Sequence, residues 1–170
     1  MSASEAPKSF IQFLSYFPKT TLPLTLQHSD YHDYSTANDP LPDVLLQQYV
    51  FPHLDFEIDE FVEFLPILQF DASNGMHQLV LWTARLLHYS FYLLNFNPQG
   101  TFIHASEIAG FYSDRDLIRQ KMAHIDAEGN VFILEGSLAG NQKEIDPHTT
   151  KKWHLEYLPD GTFRLVEIQV

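Results

Sequence analysis

Three short phrases constrain this chain more than any other feature: Asn97-Pro98-Gln99-Gly100, Asp126-Ala127-Glu128-Gly129 and Leu158-Pro159-Asp160-Gly161. Each has glycine at its fourth position. Apolar or aromatic residues follow close behind: Phe102 and Ile103, Val131 and Phe132, then Phe163 and Leu165. Proline presets φ for the first central position of a type I turn, and glycine supplies the left-handed position that a G1 bulge requires. A looser version, Asp71-Ala72-Ser73-Asn74-Gly75, is one residue longer. The glycines are unevenly spaced and the sequences between them do not match. They therefore read as separate hairpin turns, not as a tandem repeat.

Hairpins in this order imply antiparallel strands. The pattern predicts them at about 76–86, 88–97, 101–110, 117–125, 130–137, 150–158 and 162–169. An edge strand from about 61 to 70 precedes them, because Pro66 is tolerated at a sheet edge. The region 76–97 contains no clear turn, and a break is placed near 86–88. Residues 114–124 include good helix formers, yet the turn at Asp126 needs a strand entering it, so strand is expected from about Leu117. Residues 136–147 read as a loop.

The N-terminal third differs. Residues 1–8 read as a loose leader. Phe10, Phe13, Leu14 and Phe17 are helically spaced, and Pro18 and Pro23 end that helix. Residues 19–41 are polar and turn-prone, with a possible strand at 22–26. A second helix is expected from Pro42-Asp43, burying Leu45, Leu46, Tyr49 and Val50 and stopping at Pro52. Residues 54–60 are expected to be helical or irregular. The sum is one α+β domain over 1–170, mainly antiparallel β: a leader (1–8), a helical and loop part (9–60) and a meander (61–170). Six to eight strands are expected in a strongly curved meander or partial barrel, packed by two short N-terminal helices.

Composition limits the function. The 170 residues hold no cysteine, which excludes disulfides, thiolate metal sites and a cysteine nucleophile. The first ten residues lack the basic and apolar regions of a secretory signal, and no stretch approaches 18 uninterrupted apolar residues. A soluble, cytoplasmic protein is the expectation. The net charge is −12, and residues 20–84 contain ten acids and no Lys or Arg. Phosphate binding needs clustered basic residues, and Lys151-Lys152 falls far short, so nucleic acid and anionic membranes are not expected partners.

The run from Asp55 to Glu63 alternates acid with apolar residue for part of its length. Asp55, Glu57, Asp59, Glu60 and Glu63 are the candidate binding residues for a basic protein partner, because like charge without local Lys or Arg destabilises a chain left alone. A non-enzymatic, inhibitor-like or immunity-like interaction protein is the expected function. The alternative is a small-molecule binder or enzyme with a cavity lined by Tyr, Trp and His, drawing on Trp82, Trp153, Tyr89, Tyr92 and Tyr157. Metal ligation would have to use His28, Asp30 and His32, but no fourth ligand is evident, and neither a metal nor any other cofactor is expected. Hydrolase, P-loop and dinucleotide fingerprints are absent. His104, His124 and His154 fall on predicted strands and are expected to be structural. Ser106 shares a strand face with His104, at a spacing too wide for a dyad.

Overall fold

The structure is a computed structural model that describes residues 5–71, 75–139 and 150–169. Helix α1 spans Lys8–Ser15, strand β1 Leu24–Leu26, helix α2 Tyr31–Ala37 and helix α3 Asp43–Tyr49. Eight strands follow: β2 Glu63–Asp71, β3 His77–Arg85, β4 His88–Phe96, β5 Phe102–Asp114, β6 Leu117–Ile125, β7 Val131–Ala139, β8 Lys151–Tyr157 and β9 Phe163–Ile168. β2 to β9 are neighbours in chain order, all antiparallel, and β1 joins outside this path by pairing with β6. The protein is thus mainly antiparallel sheet with three short helices, and the sheet is not closed into a barrel.

The three glycine phrases make the same turn. The glycine N–H donates to the carbonyl three residues back: Gly100 to Asn97 at 2.9 Å, Gly129 to Asp126 at 3.0 Å and Gly161 to Leu158 at 2.9 Å. Their φ values are 86°, 86° and 87°. The side chains of Asn97, Asp126 and Asp160 accept further backbone N–H groups inside these loops, which explains the Asn and Asp at those places. For the fourth phrase, residues 72–74 lie outside the described residues.

β3 and β4 are buried on both faces. Leu79, Leu81, Tyr92, Leu94 and Phe96 meet Phe10, Phe13 and Phe17 at α1 and Leu45 and Tyr49 of α3. Val80, Trp82, Phe91 and Leu93 face the opposite way, against Ala123, Ile125, Val131, Ile133, Leu155 and Phe163 from β6 to β9. Strands buried on both sides lose the alternation of a half-exposed strand and read as continuous apolar runs. Late strands reach back to early ones to complete the second core. Tyr157 of β8 donates to Gln78 of β3 at 3.0 Å, and Asn95 of β4 donates to the Gly161 carbonyl at 2.6 Å.

Several expectations need correction. There are nine strands and three α-helices among the described residues, against six to eight strands and two helices. The additional helix, α2, lies in the polar stretch 19–41, behind a 3-10 turn at His28–Asp30 where Asp30 accepts the Gln27 N–H at 2.8 Å. Residues 54–62 are irregular, one of the two forms expected for 54–60, and β2 begins at Glu63, slightly after its expected start near 61. The supposed leader is shorter, because α1 starts at Lys8; residues 1–4 lie outside the described residues. β7 continues through Gly136 to Ala139, and the rest of that expected loop also lies outside them. The break expected near 86–88 is present, as a two-residue turn, Leu86-Leu87, with Leu87 at φ 56°.

The largest departure is β5, which runs four residues past its expected end at Gly110. Gly110 is a crossing point, not a terminator. From Gly110 to Asp114 β5 pairs with β6, while residues 102–109 pair with β4 alone. Beyond Lys121, β6 pairs instead with β1, matching Leu26 to Ala123 and Leu24 to Ile125. A bulge displaces the β4–β5 register between Phe91 and Tyr92 just before this parting. Gly110 has φ 146°, and a Cβ there would collide with the Tyr89 carbonyl oxygen. Gly110→Ala should therefore lower stability by about 3 kcal/mol or more, combining steric overlap with backbone strain. Gly129→Ala should lose only about 1 kcal/mol, the cost of left-handed φ, since its Cβ would meet nothing closer than Phe70 at 3.9 Å. Urea denaturation of the two variants measures the difference.

Candidate functional site with an acidic face beside a polar cleft

The irregular segment 54–62 crosses the end of the β3–β4 hairpin, and Arg85 holds it there. The Arg85 guanidinium lies 3.9 Å from the centre of the Phe56 ring, a cation–π contact. Asp55, Glu57, Asp59, Glu60 and Glu63 are all exposed. Among the described residues none of the five makes an ion pair; the pairs present are Lys121–Glu107 and Arg164–Glu156. Arg115, Arg119, Lys151 and Lys152 do not fold back against this segment. Asp59 accepts the Phe61 N–H at 2.8 Å, so one acid has a local structural duty.

Glu57, Asp59 and Glu63 surround a surface hollow of about 660 Å³ together with Phe61 and Leu86. Phe61 is 79% exposed and Leu86 91% exposed. Both sit where the backbone turns, so neither finds a core to enter. The acids therefore border apolar surface instead of facing solvent on a purely polar loop.

On the other side of Arg85 lies a polar cleft of about 680 Å³, walled by Phe56, Tyr92, His104, Ser106, Glu107 and Lys121 among others. Its centre is the Glu107 carboxylate. Arg85 Nη2 donates to His88 Nδ1 at 2.8 Å, which leaves the imidazole proton on Nε2. That nitrogen donates to Glu107 Oε2 at 3.0 Å, and Ser90 Oγ donates to the same oxygen at 2.9 Å. Lys121 Nζ reaches Oε1 at 3.3 Å. Burial by itself would raise the Glu107 pKa. The His88 hydrogen bond, the Lys121 charge and the Ser90 hydrogen bond outweigh it and hold the carboxyl at about 2. Tyr92 titrates well above its ordinary range, first through burial and then through the Glu107 charge. Burial pushes His53, also on the cleft wall, downward.

The candidate ligands His28, Asp30 and His32 are engaged separately. The His28 ring is packed against Tyr89 and Phe111, with centroids at 5.3 and 5.2 Å, and Asp30 is spent on the Gln27 N–H. His32 lies at the surface. Among the described residues no group of three His, Asp or Glu side chains is placed to hold a metal ion. Trp82 is buried, Tyr89, Trp153 and Tyr157 pack against the inner core, and Tyr92 belongs to the core beneath the helices. His104 packs edge-on to Phe163, His124 bonds Thr25 at 3.1 Å, and His154 stacks on Phe132. No described hydrogen bond joins His104 to Ser106.

Sequence reading missed the Glu107 cluster. Its members come from three strands, and the bulge decides that Glu107 stands opposite Tyr92. The available signal was small: His88 and Ser90 two apart, and one acid in the otherwise uncharged stretch 102–113. No family model, curated protein or solved structure matches the chain. Among the described residues no helix is long and apolar enough to cross a membrane.

The Glu107 pKa fixes the sign of an acid-stability effect. The ordinary value is 4.5 and the folded value about 2, so the stabilisation is present above pH 4.5 and is lost as pH falls from 4.5 to about 2. The protein should lose up to about 3 kcal/mol through Glu107 across that window. Glu107→Gln should remove that part of the slope, measured as urea stability at a series of pH values.

Proposed function

We propose that this is a non-enzymatic interaction protein that uses its acidic face to bind a basic protein partner, as an inhibitor or immunity-like protein would. The carrying observation is the placement of the five acids: all are exposed and without ion pairs among the described residues, and three of them, Glu57, Asp59 and Glu63, border Phe61 and Leu86. Interfaces combine apolar anchors with a polar rim, and complementary charge steers encounter and selects the partner. The same arrangement brings no benefit to the free chain, where like charges repel. The Glu107 cluster supports this reading over an enzymatic one. Its carboxylate is stabilised by His88, Ser90 and Lys121 and held at about 2, which makes it a weak general base.

The test uses charge reversal. The double variant Glu57→Lys, Glu60→Lys should leave the isolated protein as stable as before or more stable, since it relieves repulsion. Stability of the unaltered protein should rise from low to moderate salt, as the Debye length shrinks from ~30 Å at 0.01 M to ~10 Å at 0.1 M. Affinity for Lys- and Arg-rich peptides carrying one leucine should drop at least tenfold in the double variant and in Leu86→Ser, by fluorescence anisotropy. Loss of more than about 1 kcal/mol of stability in the double variant, beyond the usual worth of exposed ion pairs, would defeat the proposal.

A further inference from the structure

We infer that the free edge of β5 between Phe102 and Glu107 receives an extended basic peptide as an added strand, with Asp55 beside it. This rests on the acidic docking reading for the partner's charge and on a separate observation for its conformation. The separate observation is the parting of the sheet at Gly110. Residues 102–109 of β5 pair with β4 on one side, and among the described residues no strand pairs with them on the other.

The direction of each backbone group follows from the ladder. Alternate residues of a central strand bond alternate neighbours. Ser113 donates to the Leu87 carbonyl at 2.9 Å, so Leu87, Tyr89, Phe91, Leu93 and Asn95 form the series that bonds β5. Past the bulge between Phe91 and Tyr92, Leu93 stands opposite Ser106 and Asn95 opposite His104, before a second register shift between Asn95 and Phe96 sets Phe96 opposite Phe102. Ser106 and His104 therefore spend their backbone groups on β4. Ala105 and Glu107 turn theirs to the open side.

That open side is the cleft. Six consecutive β5 residues, from Phe102 to Glu107, line it. A cavity touching consecutive strand residues runs along the strand's edge, because a cavity over one face would meet alternate residues only. An unpaired edge is a template for another strand, and natural proteins usually cover or blunt it. Here the border is Asp55 and Phe56, with Arg85 and Lys121 also on the cleft wall; Arg85 is engaged by Phe56 and His88 and Lys121 by Glu107, which leaves Asp55 as the carboxylate there without an ion pair among the described residues. Asp55 is exposed, and the acidic hollow continues from it across Arg85. Main-chain hydrogen bonds of this kind give affinity for extended peptides of many sequences, and side chains at the border select among them. Unpaired Asp55 selects Lys or Arg at its end of the edge.

Peptides on an array of octapeptides, in which Lys or Arg alternates with Val, Thr or Ile, are the probe. The tightest binder is then studied in solution by amide hydrogen exchange and anisotropy. Saturating peptide should slow exchange at the Ala105 and Glu107 amides, while His104 and Ser106 change little. N-methylating alternate peptide amides, with side chains intact, should weaken binding at least tenfold in one of the two registers. Ala105→Pro removes an edge N–H without touching the β4 ladder, and should abolish binding while retaining the fold. The methylated peptides keep the test alive if that variant does not fold. No protection of Ala105 and Glu107 by any array peptide overturns the inference. Equal binding of both methylated registers overturns it too, and leaves the acidic face standing if Glu57→Lys, Glu60→Lys still weakens binding. If methylation matters and charge reversal does not, the edge stands and the acidic reading falls. Protection that grows with protein concentration alone, with a dimer on size exclusion, overturns the peptide in favour of a second copy.

Discussion

The structure depends on one strand serving two ladders. β5 is thirteen residues long, with its first part bound to β4 alone and its last part held between β4 and β6. Its bulge and Gly110 mark the change, and each has a steric reason. The bulge places two β5 residues against one of β4 and bends the strand. Gly110 then lets the Tyr89 backbone approach where a side chain would block it. Where the β5–β6 pairing ends, at Gly110 and Lys121, β1 takes the place beside β6. Leu26 of β1 is there fully buried in the core that Ala123 and Ile125 share.

The same parting explains a half-buried carboxylate, Glu107, set among three donors. Where β6 leaves β5, Lys121 and Glu107 face each other across the opening. An unpaired carboxylate there would be costly. With three donors it is stabilised in its ionised form, and the cluster in turn fixes Arg85 through His88. Arg85 holds Phe56, and with it the irregular segment that carries the acids. A chain of direct contacts thus runs from the half-buried Glu107 carboxylate to the surface segment with the densest acidic charge.

The turns were legible because their chemistry is local: Asn97, Asp126 and Asp160 and the glycines beyond them specify the loops without help from the rest of the chain. α1 and α3 were legible from Phe10, Phe13, Leu45 and Tyr49, whose spacing matches a single buried stripe. The length of β5 was not. Gly110 resembles a terminator when the approach of Tyr89 is unknown. The 86–88 turn was hard to place because Leu86 and Leu87 are apolar residues in a turn, where glycine or asparagine is the usual signal. α2 is short and buries no residue fully, so Tyr31 and Tyr34 gave no clear stripe. The Glu107 cluster was invisible for a different reason. It depends on the register of three strands, and one shifted residue would send Glu107 elsewhere.

For a partner held as proposed, the acids and the strand edge act over different distances. Surface charges reach about 10 Å into solution at 0.1 M salt and fade with added salt. They raise the chance that a basic segment arrives and set the sign of what arrives. Backbone pairing acts only at contact, and its strength does not depend on net charge. It governs how long the segment stays and in which register. Phe61 and Leu86 belong with the second group, because apolar burial is also short-ranged. Their position beyond Arg85, away from the β5 edge, means that a partner reaching both must extend past the cleft. A single isolated lysine would be attracted and then released. A strand that also presents an apolar side chain to Leu86 would engage every feature that the chain leaves uncovered along this side.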